Sequence, residues 1–218
     1  MSAPIAEPAA ATPEAAGGAA TATRKRPKPG ERRVQILQAL AEMLQQPGAD
    51  RITTAALAAR LDVSEAALYR HFASKAQMFE GLIEFIESSV FTLINQIQER
   101  EEDGRQQARR IVHMLLQFGE KNPGMVRVMV GDALVFENER LTTRMTQFFE
   151  RVEAQLRQCL RHAQAQQAES GQVTAETPLA AGLPAALTCM IVGCLHRYAR
   201  SGFKRAPTEQ LDALLQLI

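Results

Sequence analysis

The sequence predicts an all-α protein with a helix-turn-helix unit near its N-terminus and a larger helical body behind it. Residues 53–75, TTAALAARLDVSEAALYRHFASK, contain two short helix-forming runs with a brief interruption between them. The rest of the chain repeats apolar residues at the helical period of about 3.6 residues. Turn-forming groups such as Asp103-Gly104 and Asn122-Pro123-Gly124 divide this pattern into separate helices.

Hydroxyl side chains mark the starts of the two short helices. Thr53 and Thr54 precede a run rich in alanine, and Ser64 precedes the second run, so each start has a candidate N-cap. Because the connection is so short, the two helices must cross steeply. The apolar wedge between them is then formed by Leu57, Leu61, Val63 and Leu68. The second helix is left with an outward face formed by Ser64, Glu65, Ala66, Tyr69, Arg70 and His71.

This outward face has the chemistry needed to enter a DNA major groove. Small side chains allow close approach to base edges, and arginine bonds guanine. We predict that the bases face Glu65, Ala66, Ala67 and Arg70. We predict that the DNA backbone is held by Thr53, Thr54, Ser64, Tyr69, His71 and Lys75. The alternative is an ordinary helical bundle in which Tyr69 and His71 are half-buried.

A third capping pattern begins at Ser74, and Gln77 is expected to reach back to the Ser74 amide. Lys75 follows in the first turn, where the helix dipole disfavours a cation. A cation in that position indicates an anionic partner, which we interpret as phosphate.

Charge is distributed unevenly although the net charge is only +1. Residues 1–23 hold two acids and no base, whereas residues 24–75 hold ten bases and five acids. The Ala/Pro-rich start is too poor in large apolar groups to fold alone, and we expect residues 1–30 to form a disordered basic tail. Its basic arm, residues 24–28, is either solvated or in contact with a minor groove.

Helical periodicity and turn signals predict the remaining helices. The first runs from about Glu31 to Gln46 and buries Val34, Leu37, Leu40, Met43 and Leu44. A long helix from Lys75 to about Arg100 carries one broad apolar stripe, in which Leu93 is included, while Phe85 and Phe91 fall on either side of it. Asp103-Gly104 is expected to close it. Further helices are predicted at about 106–121 and 139–162, with a polar loop over 164–177 and a helix from Pro178 that Gly202 ends.

The chain shows no pattern of catalysis, of metal binding or of membrane insertion. Its four histidines are scattered, and the three cysteines lack zinc spacing and fall in helical patterns. We therefore expect no enzyme activity, no cofactor and no metal. No apolar run approaches the ~20 residues that span a bilayer, and no secretion signal is present, so we expect a cytoplasmic, nucleoid-associated protein.

The block ALYRHFASK after a TTAALAA helix resembles the DNA-binding unit of TetR-type regulators. The longer stretch RITTAALAARLDVSEAALYRHFASKAQMFEGLIEFIE is similar to the nucleoid occlusion branch of that family, and so are FGEKNPGMVRVMVGDALVFENERL and FFERVEAQLRQCLR. The resemblance extends from about Arg32 to the C-terminus. It implies a TetR-like fold in which residues 31–75 form a three-helix DNA-binding head and residues 76–218 form a helical body.

In that branch the body binds the C-terminal tail of the tubulin-like division protein FtsZ, in a groove between the long helix after the head and the next helix. The matching positions here are Phe85, Leu93, Met114, Gln117, Lys121 and Asn122. Leu93 and Gln117 depart from the family pattern of arginine and glycine, and Lys121 lacks the bidentate fork of arginine. Core packing is the alternative for Leu93 and Met114.

The resemblance also implies that the last two helices pair with their copies in a homodimer, since a protein that reads palindromic DNA needs two heads. Packing within one chain is the alternative. Together these expectations describe a nucleoid occlusion factor that binds palindromic double-stranded DNA and inhibits assembly of the FtsZ division ring. The alternative function is a TetR-type transcriptional repressor released by a small-molecule effector.

Overall fold

The computed structural model describes residues 30–46, 52–170 and 178–216, and these residues form an all-α fold. In chain order the helices are α1 Glu31–Leu44, α2 Thr54–Arg60, α3 Glu65–Tyr69, α4 Lys75–Arg100, α5 Gly104–Lys121, α6 Pro123–Met129, α7 Glu139–Glu169, α8 Pro178–Arg200 and α9 Leu211–Leu215, with a short 3₁₀ turn at Asp132–Leu134 between α6 and α7. Residues 1–29 of the predicted disordered tail, with the basic arm, lie outside the described residues.

Helix α1 packs through a face that differs in part from the predicted one. Ile36, Leu40 and Leu44 are buried, whereas Val34, predicted to be buried, is 63% exposed. Ile36 lies two positions after Val34, which places their side chains about 200° apart around the helix. The helix also ends at Leu44, whereas the sequence pattern placed its end at about Gln46.

The turn between α2 and α3 reverses the chain through a left-handed residue. The Val63 amide donates to the Ala58 carbonyl at 3.1 Å, and the Asp62 amide donates to the Ala59 carbonyl at 3.1 Å. This is the Schellman arrangement, and Asp62 takes the left-handed position with φ 54°. The predicted wedge is confirmed, because Leu57 and Leu68 are fully buried while Leu61 and Val63 pack against them.

Helix α4 has the predicted bounds and joins the head to the body. The Ser74 hydroxyl caps it by accepting from the Gln77 amide at 3.2 Å. The Gln77 side chain accepts from the Ala73 amide at 2.8 Å, so the predicted bond to the Ser74 amide is wrong by one residue. One side of the helix is buried from the head to the body by Met78, Phe79, Leu82, Ile83, Ile86, Val90 and Ile94.

Asp103 and Gly104 start α5, whereas the sequence pattern placed them at the end of α4. The Asp103 carboxylate caps α5 by accepting from the amides of Arg105 and Gln106 at 2.8 and 2.9 Å. A Cβ on Gly104 would lie 2.4 Å from the Cys159 carbonyl oxygen of α7. Gly104 therefore permits close approach of two helices, and α4 ends at Arg100.

Gly124 fixes the contact between the head and the body. The sequence pattern placed Gly124 in a turn, but it lies inside α6 behind Pro123 at the first helical position and has no positive φ. A Cβ at this glycine would lie 1.9 Å from the Ala41 carbonyl oxygen of α1. The absence of a side chain is what lets α6 approach α1.

Helix α7 continues to Glu169, beyond the predicted end at His162 and into the predicted loop. Its last turns contact the start of α5, where the Gln166 side chain accepts from the Gly104 amide at 3.1 Å and donates to the Glu102 carbonyl at 2.7 Å. These contacts stabilise helical turns that lack an apolar pattern. The remainder of the predicted loop, residues 171–177, lies outside the described residues.

Helix α8 passes through Pro184 without interruption, and Gly202, with φ 62°, follows its end as predicted. Within the described ranges, no helix is both long enough and apolar enough to cross a membrane. Cys159 and Cys194 are buried, and burial raises the pKa of both thiols, whereas Cys189 is exposed on α8.

The close approach at Gly124 makes a direct prediction. Gly124→Ala should lower the free energy of unfolding by about 3 kcal/mol or more, because the new methyl group meets rigid backbone. Gly119→Ala is the matched control, since its Cβ would meet the mobile end of the Leu195 side chain at 2.4 Å, and it should cost about 1 kcal/mol. Urea unfolding followed by circular dichroism measures both. Equal stability of Gly124→Ala and the unmodified protein would contradict the role of Gly124.

Candidate nucleic-acid interface and partner groove

The outer face of α3 is exposed as predicted. Ser64, Glu65, Ala66 and Arg70 are exposed, and Tyr69 retains 45% of its accessible surface. The buried Leu68 anchors the opposite side of the helix. The bundle alternative, which half-buries Tyr69, is therefore wrong for that residue. The side chains of Ala67 and His71 are half-buried at the edges of this face.

The hydroxyl groups around α3 differ in what they can offer to a ligand. Thr53 caps α2 by accepting from the Ala56 amide at 3.1 Å, and Ser64 caps α3 by accepting from the Ala67 amide at 3.3 Å. Because both hydroxyls act as acceptors in these caps, each keeps its proton available to a ligand. Thr54 is different, because its hydroxyl donates to Glu65 Oε2 at 2.6 Å. Thr54 therefore supports Glu65 and does not present its proton to solvent.

Arg33 holds the C-terminal end of α3 in place. Its Nη1 donates to the His71 carbonyl at 2.9 Å, and its guanidinium lies 4.2 Å from the centre of the Phe72 ring. His71 lies two residues past the end of α3, so this bond fixes the short segment that leads from α3 towards α4. Sequence reasoning missed this residue, because nothing in the local pattern distinguishes Arg33 from its neighbour Arg32.

Lys75 has an anionic partner within the chain. Its Nζ pairs with Glu137, and the side chains of both residues are largely buried. The pair is the first of three links between α4 and the region around the start of α7, the others being Glu80–Arg140 and Glu87–Arg144. The hydrogen bond from Arg144 to Glu87 raises the pKa of the guanidinium. The sequence pattern indicated an anionic partner for Lys75, and within the chain that partner is Glu137.

Four of the six predicted partner residues are exposed, two of them on α4 and two on α5. Phe85 is 49% exposed and Leu93 is 37% exposed on α4, while Gln117 and Lys121 are exposed on α5. The predicted core packing is therefore wrong for Leu93. Met114 is half-buried against the core, which agrees with the alternative of core packing for this residue.

The remaining partner residue, Asn122, acts as a cap in the structure. Its Nδ2 donates to the Phe118 carbonyl at 2.7 Å at the end of α5. Phe91, set off the stripe together with Phe85, is half-buried instead. Its ring meets that of Phe148 at 5.6 Å, and the Arg151 guanidinium lies 3.9 Å from its centre. Only Phe85 of the two phenylalanines thus presents an open ring.

Helix α8 has one buried and one exposed face. Leu187, Ile191, Leu195 and Tyr198 are buried within the chain. The exposed face consists of small side chains at Ala181, Gly182, Ala185, Ala186, Cys189 and Gly193. An added Cβ at Gly182 or at Gly193 would meet no atom of this chain within 4 Å. Glycine inside an exposed helix costs about 1 kcal/mol relative to alanine, so these glycines have no stabilising role in a single chain.

Two family descriptions match this sequence. Residues 36–82 match the bacterial regulatory proteins of the tetR family, and residues 103–218 match the SlmA-like type of the tetracyclin repressor-like C-terminal domain. The first match covers most of α1 through to the start of α4, and the second covers α5 to the C-terminus.

The chain is similar over most of its length to several nucleoid occlusion factors named SlmA. It is 50% identical over 192 residues to that of Photobacterium profundum, which covers 88% of this chain and 95% of the relative. It is 50% identical over 188 residues to that of Vibrio cholerae, covering 86% of this chain and 93% of the relative. With that of Aliivibrio fischeri (strain MJ11) the identity is 48% over 193 residues, covering 88% and 96%.

Solved structures with low sequence identity share the fold. The TetR family regulator PfmR from Thermus thermophilus superimposes with a TM-score of 0.65 at 22% identity, covering 84% of this chain and 96% of that one. The fatty acid degradation regulator FadR from Bacillus halodurans gives a TM-score of 0.67 at 15% identity, covering 88% and 96%.

Proposed function

The chain belongs to the TetR family of DNA-binding regulators and, within it, to the nucleoid occlusion factors, and from this premise we propose that it binds palindromic chromosomal sites as a homodimer and inhibits FtsZ assembly there. The observation that carries the DNA-binding part is the exposed, capped face of α3. We propose that it acts in the cytoplasm on the nucleoid, without catalysis and without a cofactor.

The head, residues 31–75, is the DNA-binding unit in this proposal. Glu65, Ala66, Ala67 and Arg70 face base edges, and the Arg70 side chain makes no ion pair or hydrogen bond with any described residue. An arginine in this state can donate both of its outer nitrogens to guanine O6 and N7. Thr53 and Ser64 donate their hydroxyl protons to phosphate. Tyr69 and His71 hold the DNA backbone next to them.

Lys75 binds phosphate in this proposal only by exchanging one anion for another. In the DNA-free protein its ammonium is held by Glu137, and both side chains are shielded from solvent. Phosphate must therefore displace the carboxylate before Lys75 can contribute to DNA affinity. Glu137 lowers the affinity for every sequence by the same amount, since phosphates carry no sequence information.

The body, residues 76–218, supplies dimerisation through α8. The small exposed side chains along α8 let a second helix approach closely. The space beside Gly182 and Gly193 is not filled by any atom of the same chain and is open to a partner. A twofold dimer that uses the same face on both copies presents two heads to the two halves of a palindrome.

The body also carries the FtsZ groove between α4 and α5. Phe85 and Leu93 offer exposed apolar surface on α4. Because α4 and α5 run antiparallel, Lys121 offers a cation at the end of α5 that is nearest to Phe85. Met114 forms part of the apolar floor, and Gln117 and Asn122 border the groove. A peptide with apolar side chains and a carboxylate fits this combination.

Base readers and phosphate anchors should respond differently to substitution. Arg70→Ala should cost about 1 to 3 kcal/mol of binding free energy and relax the base preference at one position of each half-site. Lys75→Ala should weaken binding to all sequences alike and reduce the slope of affinity against salt by about one unit. Glu137→Gln should strengthen binding to all sequences. Fluorescence anisotropy over a salt series measures these effects, and identical behaviour of the Arg70 and Lys75 variants would contradict the assignment.

Sedimentation of FtsZ polymers tests the partner groove. With DNA selected by the protein from a random duplex library, the unmodified chain should reduce the sedimented polymer, and Phe85→Ala should abolish the reduction while leaving DNA affinity unchanged. Val34→Ala removes an exposed apolar side chain from the head and serves as the matched control. If the unmodified chain changes the polymer neither with DNA nor without it, the effector-released repressor is favoured.

Sedimentation velocity tests the dimer. The unmodified chain should sediment as a dimer, and Gly193→Gln should shift it to a monomer because a long side chain prevents close approach of α8 to its copy. Alkylation of Cys189 should then become faster, whereas the buried Cys159 and Cys194 should stay slow because burial raises the pKa of both thiols. Ala154→Gln on the exposed side of α7 is the matched control. A monomer at micromolar concentration in the unmodified chain would contradict the proposal.

A further inference from the structure

Glu65 places a carboxylate on the very surface that faces DNA in the proposed function. It is exposed at the first position of α3, on the same row as Tyr69 one turn later. A carboxylate near phosphates is repelled, so this side chain weakens general DNA binding unless it gains something at the bases. No lysine or arginine in the described part of the chain pairs with Glu65, so an ion pair within the protein does not account for it.

Thr54 holds this carboxylate in one orientation. It is the first residue of α2, and its hydroxyl donates to Glu65 Oε2 at 2.6 Å across the turn between the two helices. Its neighbour Thr53 already caps α2, so Thr54 has no role at the helix end. The Tyr69 hydroxyl lies 3.5 Å from Thr54 Oγ1 on the other side and donates towards it. A hydroxyl has one proton, and that of Thr54 is committed to Glu65.

This arrangement leaves one carboxylate oxygen, Glu65 Oε1, without a hydrogen bond to any described residue. An ionised carboxylate only accepts hydrogen bonds. In the major groove, guanine offers O6 and N7 and thymine offers O4, all of which are acceptors and repel it. Adenine offers the N6 amino group, but its N7 acceptor lies beside that group. Cytosine offers the N4 amino group with no adjacent acceptor on the same base.

We propose that Glu65 reads the N4 amino group of a cytosine in each half-site, and that Thr54 is the positioning residue that aims its carboxylate. The proposal rests on the proposed DNA-binding function and assigns the chemistry of one base position within it. Arg70, one turn from Ala66 on the neighbouring row of α3, reads a guanine at a separate position.

Selection from a random-sequence duplex library, followed by sequencing, tests this assignment with the full-length protein. The unmodified chain should enrich a palindrome with cytosine at one column of each half-site, by at least about fivefold over the other bases. Glu65→Gln should change that column to adenine, because an amide bonds adenine N6 and N7 together. Glu84→Gln is the matched control, since it removes the same charge from an exposed position on α4 and should leave every column unchanged.

Two variants of Thr54 test the positioning role. Thr54→Val keeps the shape and removes the proton, so the cytosine preference should fall at the same column while the other columns persist. Thr54→Ser restores the hydroxyl and should restore the preference. Thermal unfolding of each variant, measured by circular dichroism, shows that the comparison is made on folded protein, and Glu65→Ala provides a second variant at the reading position.

The outcomes separate this inference from the proposed function. If the unmodified chain enriches a palindrome and Glu65→Gln and Glu65→Ala enrich the same bases at every column, the inference is overturned and DNA binding stands. If Thr54→Val lowers only the unfolding temperature, Thr54 is a structural link between α2 and α3, and its positioning role is overturned. If the unmodified chain enriches no sequence, the proposed function fails and the inference fails with it.

Discussion

Burial of one side of α4 along most of its length is the constraint on which the position of α3 depends. Near its start α4 passes so close to the head that a Cβ on Gly81 would lie 3.1 Å from Leu37 and 3.5 Å from Phe72. Further along, Ile94 is fully buried in the body. Each buried side chain of this size contributes about 1.5 to 3 kcal/mol, so α4 cannot turn relative to either part without a large loss of stability. Helix α3 is thereby held in a fixed orientation relative to the part of α4 that carries the exposed Phe85.

The parts of the fold that local chemistry controls were predictable from the sequence. Thr53, Ser64 and Ser74 cap α2, α3 and α4, as their hydroxyl groups in the sequence predict. The bounds of α4 follow from a long apolar stripe that lies between an N-cap and a charged C-terminal end. The exposed face of α3 was predictable for the same reason, since Leu68 had to be buried and its neighbours therefore had to face outward. The helical wheel placed both Phe85 and Phe91 off the apolar stripe, and of the two only Phe85 is exposed.

The parts that depend on distant residues were not predictable in this way. Gly104 and Gly124 read as turn residues, but each makes room for the backbone of a helix far away in the chain. The anion beside Lys75 proved to be Glu137, which no local pattern connects with it. The last turns of α7 are likewise held by bonds from Gln166 to the loop before α5. In each case the deciding partner is identified only once the helices are packed.

The ion pairs between α4 and the start of α7 also bear on how a bound protein would rank competing chromosomal sites. Under the proposed exchange of Glu137 for phosphate, breaking the pair between Lys75 and Glu137 would remove the same free energy from the association with any stretch of duplex. Such a uniform subtraction leaves the order of preference among sites intact and shortens the time spent on all of them. The ratio between the residence times on strongly and on weakly matching stretches therefore stays as the base contacts set it.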